Sequence, residues 1–108
     1  MLFRSTLTAW LLAGGWRNVI VEINNESNPR YQPPILRPDR VGELIARVRD
    51  TKAADGHRLL VGTSFPAGVM PTESALRVSD FVLFHGNSLK RTADLMKKVK
   101  AKIGRAHV

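Results

Sequence analysis

An α/β domain built on a parallel sheet is the fold class this sequence predicts, and three observations predict it. Short apolar runs at residues 18–24, 58–63 and 81–84 alternate with helical patterns in the order α-β-α-β-α-β-α. The middle run, Arg-Leu-Leu-Val-Gly-Thr, is almost continuously apolar, as suits a strand covered on both faces. All three runs break into polar residues at their carboxyl ends, where parallel α/β folds place their sites: Asn25-Glu26, Thr63-Ser64-Phe65 and His85-Gly86-Asn87.

Residues 6–13 read as the tail of a helix, stopped by Gly14-Gly15. Trp10, Leu11 and Leu12 fit its amphipathic end, and both Trp10 and Trp16 are expected in the core. In the strand at 18–24, successive side chains point to opposite faces, so Val19, Val21 and Ile23 share one face. Ile20, Glu22, Asn24 and Glu26 share the other, with Glu26 at its mouth. In a closed parallel barrel these faces are the helix side and the lumen, and Glu22 is expected to pair there with an arginine of another strand.

Residues 27–37 carry too many prolines for helix or strand and form a long, stiff loop. Pro38 opens a helix at a position where its missing N–H is not needed. Val41, Leu44, Ile45 and Val48 supply the i, i+3, i+4, i+7 stripe, and Asp55-Gly56 closes the segment. After the strand at 58–63 and a loop at 64–70, residues 71–78 make a short helix. The third strand follows at 81–84, and a final helix runs from about Leu89.

The 108 residues suffice for one small domain with a core, and no repeat or linker divides them. Absence of cysteine excludes disulfides, thiolate nucleophiles and cysteine metal sites. The histidines His57, His85 and His107 show no metal-ligand spacing, and neither a metal nor a cofactor is expected. No apolar stretch approaches the roughly 20 residues of a membrane span. The formal charge of +8 raises nucleic acid as a partner. However, Lys90, Arg91, Lys97, Lys98, Lys100 and Lys102 spread around a helix away from Leu95, Met96 and Val99, as a solvated face does.

A strand ending in Asn-Glu, followed two strand–helix units later by one ending in His, resembles the cellulase-type (family 5-like, clan A) glycoside hydrolases, (β/α)8 TIM barrels that cleave β-linked sugars. The likeness covers roughly residues 18–101, as the fourth to sixth strand–helix units of a partial barrel. The resemblance implies a retaining hydrolase of oligo- or polysaccharides, with Glu26 as general acid/base, Asn25 holding a sugar hydroxyl and His85 lining the site. Asn87 stands where the family carries an aromatic residue, and Ser27 where it usually carries proline. Tyr31, in the loop on the active face, is a candidate for sugar contact.

The implied mechanism needs an acid for the leaving oxygen and a second carboxylate at the anomeric carbon, about 5.5 Å apart for retention. Glu22 lies roughly 13 Å below Glu26 on an extended strand and cannot serve. The family's nucleophile is a Glu on the seventh strand, beyond the part resembled. Two rival readings follow: a carbohydrate-binding or structural barrel without catalysis, suggested by Ser27 and Asn87, and a basic nucleic-acid-binding module, suggested by the charge.

Residues 2–5 can be encoded by CTC TTC CGA TCT, whose reverse complement encodes the end of Lys102 and then Ile103, Gly104 and Arg105. Inverted copies of one DNA segment at both ends resemble read-through into a sequencing-library adapter. The expectation is a single partial domain over 1–108, native at about 6–101, with 1–5 and 103–108 adapter-derived. Three strands alone leave a sheet edge unpaired, and an isolated chain of this kind is expected to be unstable or to aggregate.

Overall fold

The computed structural model describes residues 2–86 and, after them, residues 93, 94, 96, 97, 100 and 101. Its elements are α1 (Leu2–Ala13), β1 (Ile20–Glu22), a 3-10 turn (Pro34–Leu36), α2 (Val41–Arg49), β2 (Leu60–Phe65), α3 (Glu73–Val78) and β3 (Phe81–Phe84). The three strands form one parallel sheet in the order β1-β2-β3. Helix-containing crossovers therefore join neighbouring strands, as the alternating pattern predicts. The final helix expected from Leu89 falls largely outside the described residues; those described between 93 and 101 are helical.

Strand register decides which face is covered. Val21 pairs with Val61, and Thr63 with Val82. Val21, Val61, Phe65 and Val82 pack in or against a core with Val41, Leu44, Ile45 and Val48 of α2 and Ala75 of α3. The apolar stripe read in α2 is thus the helix layer's contact with the sheet. Ile20, Leu60 and Leu83 share the opposite face; Ile20 is 59% and Leu60 52% exposed. Both strand-crossing helices lie on one side of the sheet, and the other side carries apolar residues in the open.

Several boundaries differ from expectation for local reasons. The Arg37 carbonyl accepts the N–H groups of both Arg40 and Val41, so Pro38 sits in a turn and α2 starts at Val41. Strand β2 runs on through Ser64 and Phe65 because β3 pairs with residues 62–65. Helix α3 starts at Glu73 after Thr72, whose hydroxyl accepts the Ala75 N–H at 3.3 Å. Trp10 and Trp16 are exposed, against the expected core packing. Helix α1 buries Thr8 and Leu12, one i, i+4 pair, which leaves Trp10 on the far side, and Trp16 follows the left-handed turn at Gly15 (φ 78°).

At the amino end of the sheet, Arg58 grips Asp80 with two hydrogen bonds of 2.7 and 2.8 Å, and the same carboxylate accepts the Val61 N–H at 2.9 Å. The Arg58 hydrogen bonds, helped by the Val61 amide, hold the Asp80 carboxyl at about 2 against an ordinary 3.8. A depressed carboxylate contributes stability above its unfolded value and loses it as pH falls through the folded one. Discounted for partial exposure, the clamp is worth about 1–2 kcal/mol. Asp80→Asn is expected to lower stability by about 2 kcal/mol at neutral pH, with the gap to wild type closing between pH 4 and pH 2. Urea unfolding across that range reads it, and a gap independent of pH would remove the charge from the explanation.

Gly62 sits between the outer strands. A Cβ there would lie 2.1 Å from the Phe81 carbonyl oxygen, backbone that cannot step aside without opening the β2–β3 pair. Gly62→Ala is expected to cost about 3 kcal/mol by chemical denaturation. An unchanged midpoint would show that the strands can separate freely.

Candidate active site

The carboxyl ends of the strands gather the residues singled out from sequence. The ladder continues past β1 with Ile23 N–H donating to Gly62 O at 3.0 Å, and past β3 with His85 N–H donating to Phe65 O at 3.2 Å. Alternation along β3 puts Phe81, Leu83 and His85 on the open face. Glu26 arrives there by another route than strand alternation.

Asn24 leaves the expected open face. Its side chain is buried, donating to the Leu36 carbonyl at 3.1 Å and placing Oδ1 2.7 Å from the Thr63 hydroxyl on the helix side. The chain then turns: Glu26 is the non-glycine residue with positive φ (52°) among the described residues. Its N–H donates to Ser64 Oγ at 2.8 Å, and the Ser27 N–H donates to Ser64 O at 2.8 Å. The fully buried Ser27 also donates its hydroxyl to Leu36 O at 2.7 Å. A left-handed residue costs about 1–3 kcal/mol and persists only where its surroundings over-determine it. Here the three bonds of residues 26 and 27 do so.

The result is a close pair: Glu26 Oε1 lies 2.8 Å from His85 Nδ1, both side chains about one third exposed. A carboxyl group within hydrogen-bond distance of an imidazole nitrogen is a pair able to give or take up a proton. Strands β1 and β3 are not neighbours, so the pair spans the width of β2.

Glu26 opens onto a cleft of about 690 Å³ between the loops after β1 and β2, lined also by Asn28, Arg30, Tyr31, Pro66 and Val69. Asn28 stiffens the first loop, with Nδ2 donating to Glu26 O at 2.6 Å and Oδ1 accepting the Arg30 N–H at 2.9 Å. The Tyr31 hydroxyl donates to the Asn25 carbonyl, and Arg37 Nε to the Tyr31 carbonyl at 2.8 Å.

Of the expected site residues, Glu26 and Tyr31 line the cleft, and His85 reaches it through Glu26. Asn25 is exposed outside the lining, and Asn87 lies outside the described residues. Glu22 is exposed on the open face and makes no ion pair among the described residues. Among the described residues no second carboxylate lines the cleft, and no three His, Asp or Glu side chains form a metal-binding group. No described helix is long and apolar enough to cross a membrane.

Sequence reasoning placed Ser64 at the rim but did not foresee its double grip on residues 26 and 27. The polar Thr63-Ser64 pair ending an apolar strand was the available signal. Comparison with protein-family models, curated proteins and solved structures gives no match.

Proposed function

We propose that this chain is part of a (β/α)8 barrel of the retaining glycoside hydrolase type, in which Glu26 is the general acid/base acting on β-linked sugars. The observation that carries the reading is the Glu26–His85 pair at the carboxyl ends of β1 and β3, open to a cleft of saccharide size. Sequential strand order with both crossover helices on one face supports a barrel over a doubly wound sheet, which covers both faces. In a barrel the exposed Ile20, Leu60 and Leu83 face the interior, filled by the remaining strands.

In the mechanism, Glu26 protonates the glycosidic oxygen as a second carboxylate attacks the anomeric carbon, then takes a proton from water to release the sugar. His85 positions Glu26 through its Nδ1 contact with Oε1. The nucleophile comes from a later strand, and the chain described acts only with it.

The test is to read the source DNA past Ala101 through two further strand–helix units and to assay the longer product on β-linked oligosaccharides. A strand-end Glu with retention of anomeric configuration is the expected result. Lack of a strand-end carboxylate there would turn the reading to a non-catalytic barrel.

A further inference from the structure

We infer that the cleft selects an acidic saccharide, with Arg30 as the residue that recognises its carboxylate. The inference rests on the glycosidase reading of the cleft and names its substrate class.

The polar groups of the lining are almost all committed. Glu26 is held by His85, both ends of the Asn28 amide are bonded within the loop, and the Tyr31 hydroxyl is given to Asn25. Arg30 is exposed in that lining, and its guanidinium has no hydrogen-bond or ion-pair partner among the described residues. Its backbone is nonetheless fixed, because its N–H is the donor that closes the Asn28 turn. Arg37, bonded to the Tyr31 carbonyl, adds a second positive charge behind the same loop.

A pinned backbone carrying an unengaged cation beside apolar walls is a specificity device. Tyr31, Pro66 and Val69 offer C–H surface to a sugar ring but cannot distinguish neutral from charged sugars. The planar guanidinium can, because its paired N–H donors match the two oxygens of a uronate carboxylate. A saccharide whose scissile oxygen meets Glu26 runs along these loops and brings a neighbouring residue's C6 group within reach of Arg30.

Calorimetric titration, at physiological salt, of the protein extended to include the second carboxylate tests this, with a β-1,4-linked glucuronate trisaccharide and the matching glucose trisaccharide as probes. Wild type is expected to bind the acidic sugar at least tenfold more tightly. Arg30→Gln should erase the preference, whereas Lys52→Gln, an exposed cation outside this cleft, should leave both affinities unchanged. Equal affinity for the two sugars, or binding of the neutral one alone, overturns the inference and leaves the glycosidase reading standing. A preference that survives Arg30→Gln, or falls equally in Lys52→Gln, also overturns it by assigning the effect to the diffuse +8 charge. Binding of neither sugar overturns inference and reading together.

Discussion

Glu26→Gln, in a protein extended to include the second carboxylate, is expected to slow hydrolysis of β-glycosides with poor leaving groups by about 10²–10⁴-fold. The reason is confined to one atom: an amide keeps the shape of the acid and can still meet His85 Nδ1, yet has no proton to transfer to the glycosidic oxygen. A dinitrophenyl glycoside needs no such proton on departure, so its first step should survive and the covalent sugar–enzyme intermediate should accumulate as a burst. Release of that intermediate needs a base, and a small anionic nucleophile such as azide, which needs none, should restore turnover. Equal loss on activated and unactivated substrates would make Glu26 a binding group. Full activity with both would remove it from the mechanism.

Ser27→Pro is expected to destabilise the domain by about 3 kcal/mol and to dismantle the Glu26–His85 pair. Three effects coincide. Proline has no N–H for Ser64 O, and it has no hydroxyl for Leu36 O, both in fully buried surroundings. It also drives the preceding residue towards extended backbone, whereas Glu26 sits at φ 52°. Ser27→Ala removes only the hydroxyl bond and should cost about 1 kcal/mol with the turn intact. Denaturant midpoints separate the two variants, and the His85 ring resonances report whether Glu26 still touches it. A Ser27→Pro variant as stable as Ser27→Ala would mean that the turn does not depend on residue 27. The serine is therefore part of how this chain holds its carboxylate.

The alternation of strands and helices, the α2 stripe of Val41, Leu44, Ile45 and Val48, and the gathering of polar residues at the strands' carboxyl ends were legible in the sequence. They follow from the periods of 2 and 3.6 and from the placing of proline and glycine, which act within a few residues. Glu26 and His85 could likewise be named as rim residues from their position after strands. What could not be read was anything that depends on contacts between segments far apart in the chain. Asn24 turned to the helix side because Leu36 and Thr63 offer it partners, 12 and 39 residues away. Trp10 stayed in solvent because Thr8 and Leu12 took the buried side of α1.

The sequence by itself thus determined the α/β order, the parallel sheet and the rim on which the site lies, since local periodicity and turn chemistry are written in neighbouring residues. Only the tertiary structure decided that Glu26 meets His85, 59 residues away, through a left-handed turn held by Ser64, and that both crossover helices share one face of the sheet. Those outcomes rest on strand register and on buried hydrogen bonds across the sheet, which form only once the strands are side by side.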